Sequence, residues 1–250
     1  MEVHAHSHSH GKKNWKSYFW EFLMLFLAVF CGFMAEYQLE HKIEKDRERQ
    51  YIQSMVDDIK EDAVKIKKSI DDCNGQLSGF DSLLQNIHHT PYTDSSIRMM
   101  YYLQRRYTST RYTVLFTKRT ITQLKNSGGL RLIKNKAASD SIIIYDEGCE
   151  KAETQGDYFV YSRLDKVNDR ALKIFNSLYI LNYGRDNASE LLNSNTKVSL
   201  LGSDRNLLLE YANTIYYSRG TLANYINMLI DLQKRIPGIL SFLESKYHLK

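Results

Sequence analysis

Phe22–Ala35 reads FLMLFLAVFCGFMA and carries no charge. As a helix it spans about 21 Å at 1.5 Å per residue, short of the roughly 30 Å hydrocarbon layer of a bilayer. Adding Tyr18–Glu21 and Glu36–Leu39 brings it to about 33 Å by the same rise, so residues 18–39 are read as one transmembrane helix. Trp15, Tyr18, Phe19 and Trp20 then fall at one interface, where amphipathic aromatic rings settle. Runs this apolar on every face are rare in soluble helices. A cleaved signal peptide shares the basic leader and the apolar run, but no clean small-x-small cleavage site follows. Phe30 before Cys31 argues against a lipoprotein signal as well. The segment therefore reads as an uncleaved signal anchor.

Basic residues flank it on both sides: Lys12, Lys13 and Lys16 before, Lys42, Lys45, Arg47 and Arg49 after. A bare count does not decide the orientation, and long domains translocate largely regardless of charge. The expectation is a short cytoplasmic tail, residues 1–17, and a large extracytoplasmic domain, residues 40–250.

Beyond the anchor, Ile52, Val56, Ile59, Ala63, Ile66, Ile70, Cys73, Leu77, Phe80, Leu84 and Ile87 recur at 4-3-4-3 spacing, one stripe of a helix. Charges such as Asp57, Lys60, Glu61 and Lys67 take the other face. Nothing between Leu39 and Asn74 breaks a helix, so the anchor is expected to continue into this one, with Gly75 and Gly79 loosening it and Thr90-Pro91 ending it. A second helix is expected from an N-cap at Asp94 or Ser95 through MMYYLQRR. A third covers Tyr112–Asn126 and stops at Ser127-Gly128-Gly129. Leu130–Ile133 is a short apolar docking piece.

A fourth helix over Ala137–Tyr179 carries Tyr145, Cys149, Ala152, Phe159, Val167, Ile174 and Leu178 on its stripe. Tyr183–Asp204 reads as a loop, and a last helix follows with Leu208, Tyr211, Ile215, Leu222, Ile226 and Leu229 on one face and a kink or break at Pro237. No strand pattern emerges. Amphipathic helices must bury their stripes on one another, which predicts an all-α fold: one transmembrane helix followed by an elongated antiparallel bundle. A parallel coiled coil between copies suits the same rhythm.

Composition agrees. The 250 residues include only two prolines and twelve glycines, and 43% are hydrophobic. The net charge of +5 is spread over interspersed residues, with no basic stripe of the kind that binds nucleic acid. Cys31 lies in the apolar run, while Cys73 and Cys149 are far apart and lack zinc spacing. A disulfide and two small buried side chains are both open for that pair.

WEFLMLFLAVFCGFMAE followed by RQYIQSMVDDIKED, together with NSGGLRLIKNK and LESKYHLK, resembles a widespread, uncharacterised bacterial family of N-terminally membrane-anchored helical proteins. The resemblance implies a bacterial inner-membrane anchor with a helical periplasmic domain, and it supplies no catalytic residues.

The candidate chemistry is sparse. HAHSHSH sets His4, His6, His8 and His10 at alternate positions, where an extended chain presents them together to zinc, nickel or copper. A polar leader explains the same composition. Glu21 is a carboxylate where the helix enters the membrane, a place for a proton relay or partner contact; snorkelling, or pairing with Lys13 or Lys16 across a turn, is the plainer explanation. His88-His89 suit a helix C-terminus. Tyr101-Tyr102 and Tyr216-Tyr217 can line a cleft or bury their rings at helix contacts. No GxSxG, HExxH, phosphate loop or dinucleotide motif is present. Three roles follow as expectations: a non-catalytic interaction or sensory module working with a protein partner, a homo-oligomeric membrane assembly or conduit, and metal handling by the tail.

Overall fold

The computed structural model describes residues 14–89 and 91–249. The chain is all-α. It divides into two compact units, Met1–Gln50 and Tyr51–Lys250.

Helix α1 covers Trp15–His88 without interruption, as its lack of breakers predicts. Its N-terminal part is long and apolar enough to cross a membrane. Every residue from Met24 to Ile43 is exposed, including Phe26, Val29, Phe30 and Phe33.

In the second unit the expected stripe of α1 turns inward. Ile52, Val56, Ile59, Ile66, Cys73, Phe80 and Ile87 are buried, with Ala63, Leu77 and Leu84 half-buried. Helix α2 covers Asp94–Leu103; its N-cap is Thr93, one residue before the expected cap. Thr93 and Ser96 exchange side-chain and backbone hydrogen bonds in a capping box. The chain then widens into a π-helical turn, Gln104–Thr108.

The third helix is shorter than expected. Helix α3 covers only Arg119–Asn126, and residues 110–118 belong to no helix or strand. The cause is legible in the side chains. Tyr112-Thr113-Val114-Leu115-Phe116-Thr117 is β-branched and aromatic, residue types that suit extended backbone. Val114 and Phe116 turn inward while Leu115 faces out, the alternation of a strand. Helix α3 ends at Gly128, whose φ of 67° is left-handed and free of the Cβ penalty. A 3-10 turn, Gly129–Leu132, follows, and Ile133 is buried.

The fourth expected helix is two: α4, Lys136–Thr154, and α5, Tyr161–Ile174, joined by a π-helical turn, Gln155–Val160. A π turn adds a residue to the helical repeat and rotates everything beyond it. Val160 is therefore buried in place of Phe159, which is 48% exposed, and Leu178 lies past the helix end, 74% exposed. The expected loop holds a 3-10 turn, Ala188–Asn193, and an isolated bridge pairs Phe175 with Leu200.

Asp204 caps α6, Arg205–Tyr247. Its expected stripe from Leu208 to Leu229 is buried, and it packs on α4 and α5. Pro237 does not break it: the helix runs on to Tyr247. Proline removes one backbone donor, and burial of Ile236 and Leu243 on either side holds the helix together.

Candidate functional site

An extended segment inside a helical domain raises an accounting question: each of its backbone groups needs a partner. No sheet is present among the described residues, so side chains do the work. Gln76 Nε2 donates to the carbonyls of Tyr107 at 2.6 Å and Thr110 at 2.9 Å. The Ser69 hydroxyl donates to the Tyr112 carbonyl, and Cys73 Sγ lies 3.6 Å from the same oxygen. The Tyr225 hydroxyl of α6 accepts from the Val114 N–H at 2.8 Å. As the segment advances, its partners step back along α1.

The line ends on two aspartates, Asp58 and Asp62, each 1% exposed. Asp62 accepts from the Thr117 N–H and from the Tyr145 hydroxyl, both at 2.8 Å. Asp58 accepts from the Thr120 N–H at 3.1 Å and from Arg119 Nε at 2.8 Å. Asp58 thereby caps the N-terminus of α3, where N–H groups lack helical partners and the helix dipole favours negative charge, while Asp62 holds the residue just before its N-cap, Lys118. Lys65 sits 3.6 Å from Asp62 and donates to Thr117 Oγ1 at 2.7 Å. The residues Asp58, Asp62, Lys65, Ser69 and Gln76 thus form a second, polar stripe beside the apolar one, which Cys73 borders.

Cys149 lies one turn beyond Tyr145 on α4 and is buried. Burial pushes its thiol up to about 12, and burial does the same at Cys73. Burial also raises the Tyr145 hydroxyl far above the usual tyrosine range, helped by Cys149 and Asp62. These shifts run opposite to those of a nucleophile, which needs a lowered value. Both thiols are free.

A raised thiol pKa stabilises the folded, protonated form up to the unfolded value. Stability is then lost as pH climbs from about 9 toward about 12. Native protein is expected to take up no iodoacetamide at Cys73 or Cys149 at pH 8, and both are expected to label fully in urea; mass spectrometry of the digested protein reads the difference.

The sequence-derived candidates do not converge on this cluster. Glu21 lies on the exposed surface of α1, one residue before the uncharged run. His4, His6, His8 and His10 lie outside the described residues. Among the described residues no group of three or more His, Cys, Asp or Glu could hold a metal. Tyr101 is a core residue whose hydroxyl donates to the Ser199 carbonyl at 2.9 Å. Tyr216 and Tyr217 are exposed.

Tyr102 instead faces an open groove of about 610 Å³ between the last turns of α1 and α2. The floor is Tyr107, set by the π turn after α2. Its ring lies on Gly79, where a Cβ would come within 2.2 Å of the ring. Twelve residues line the groove, and none is Asp, Glu, Lys, Arg or His.

Comparison with known proteins adds no relative: no family model matches the chain, and no curated protein or solved structure matches it either.

Proposed function

We propose that the protein is a membrane-tethered, non-catalytic interaction or sensory module. It sits in the bacterial inner membrane, with residues 1–17 in the cytoplasm and an elongated antiparallel bundle in the periplasm. One observation carries the tether: Phe22–Ala35 is uncharged and, apart from the half-buried Leu23, exposed throughout. The core helix of a soluble protein would bury such a surface, because contiguous exposed apolar area is costly in water. A bilayer supplies the missing cover.

The non-catalytic reading rests on the buried cluster. Its two carboxylates are taken up by the N-terminus of α3 and the residue before its N-cap, and burial disfavours ionisation of its thiols and phenol. What remains for interaction is the surface of the helical domain.

Orientation is tested by reporter fusions at the C-terminus. A phosphatase that matures only in the periplasm is expected to be active there, and a fluorescent protein that matures only in the cytoplasm is expected to be dark. The reverse pattern contradicts the orientation. Crosslinking in intact cells followed by detergent capture is expected to recover one recurrent partner. Recovery of the chain alone as a monomer contradicts the interaction role, and a ladder of self-linked species points to the homo-oligomeric assembly instead.

A further inference from the structure

We propose that the groove between α1 and α2 is a binding site for a neutral saccharide. This rests on reading the protein as a binding module, and it names the ligand class.

Charge comes first. A quarter of the chain is Asp, Glu, Lys or Arg, yet none of the twelve lining residues is ionic. A site for a phosphate or carboxylate recruits Arg, Lys or a helix N-terminus. A site for an amine or metal ion recruits carboxylates. Here the one helix N-terminus, that of α2, is already closed by Thr93 and Ser96 on each other. The ligand is therefore uncharged.

Hydrogen-bond polarity comes second. The Ser78 hydroxyl donates to the Asn74 carbonyl at 3.2 Å, and Ser82 to the Ser78 carbonyl at 2.9 Å. Asn86 Nδ2 donates to the Ser82 carbonyl at 2.9 Å. With these protons turned back into α1, the serine oxygens and the Asn86 Oδ1 remain as acceptors. Gln85 and the second N–H of Asn86 add donors to the same wall, which suits an uncharged ligand that both donates and accepts, as a polyol does.

Shape comes third. Tyr102 and Tyr107 meet edge to face, with ring centroids 6.3 Å apart. Aromatic rings with a polar tip suit the mixed surface of a sugar, whose C–H face is apolar and whose rim is hydroxyl. The volume falls within the roughly 300–1,000 Å³ of small-ligand sites. A peptide is the other neutral donor, but peptides captured through their backbone add to a sheet edge, and the groove is walled by helices.

The test uses the full chain in lipid nanodiscs, because maltoside detergents carry the very group being tested. Cellobiose, maltotriose and chitobiose are titrated by calorimetry, with triglycine as the peptide control. Saturable binding of at least one saccharide is expected. Ser82→Trp fills the groove from the solvent side, and it is expected to weaken that binding at least about tenfold, a loss of about 1.4 kcal/mol, with an unchanged melting temperature. If Ser82→Trp does not fold, Gln85→Trp on the exposed rim serves the same purpose.

No saturable binding of any of the three overturns the proposal. Equal binding by triglycine, or binding untouched by a folded groove-filling variant, overturns it too. Saccharide recovered cleaved would leave the ligand class standing and remove the non-catalytic reading.

Discussion

Asp62→Ala is expected to destabilise the helical domain by roughly 2–6 kcal/mol, because it strands two buried donors at about 1–3 kcal/mol each. The donors are the Thr117 N–H and the Tyr145 hydroxyl. Asp62 is 1% exposed, so bulk solvent is not at hand to replace the lost acceptor. Asp62→Asn keeps one acceptor oxygen and is expected to fall between wild type and alanine. Glu61→Ala, next along the chain, removes exposed ion pairs to Lys65 and Arg119, and such pairs contribute about 0–1 kcal/mol. Thermal melting followed by circular dichroism orders the three. If Asp62→Ala melts with wild type, the Asp62 hydrogen bonds to Thr117 and Tyr145 are not what holds the segment against α1.

The second large effect separates two glycines one helical turn apart. At Gly75 nothing lies within 4 Å of an added Cβ, so Gly75→Ala is expected to stabilise α1 by about 0.5–1 kcal/mol through lost unfolded-state freedom. At Gly79 the added methyl would meet the near edge of the Tyr107 ring at 2.2–2.7 Å. The clash is with ring atoms close to the backbone, so Tyr107 must leave its seat. Overpacking of this kind costs about 1–3 kcal/mol, and Gly79→Ala is expected to lower the melting temperature despite its better helix propensity. Gly79→Ala melting above wild type would show that Tyr107 is not seated on α1.

The long helices are legible in the sequence for simple reasons. Between Trp15 and His88 there is no proline, and the 4-3 rhythm from Ile52 to Ile87 marks a buried face. Leu208 to Leu229 mark another in the same way. Legibility ends where tertiary contacts decide. The π turn at Gln155–Val160 has no local signature, yet it moves the inward position from Phe159 to Val160. Residues 112–118 read as the start of a helix because their extended form depends on partners supplied by α1 and α6. The pattern of Val114, Leu115 and Phe116 was the available sign.

Nothing in the apolar rhythm singles out Asp58 and Asp62 among the charges of α1. Their spacing of four, in register with Ser69, Cys73 and Gln76, is what distinguishes them in retrospect. The groove was hidden for a different reason: Tyr102 and Tyr107 are brought against Ser82 and Asn86 only when α2 folds onto α1. Of the tyrosines the sequence singled out, Tyr102 alone reaches that groove.

The central claim is that Phe22–Ala35 is exposed because lipid covers it. The most direct measurement is alkaline carbonate extraction of membranes from cells expressing the full chain, compared with a chain lacking residues 15–39. The account predicts that the full chain stays in the membrane pellet, leaves it only with detergent, and is released when the segment is removed. A full chain found in the carbonate supernatant, or purified as a monodisperse protein without detergent, would contradict it.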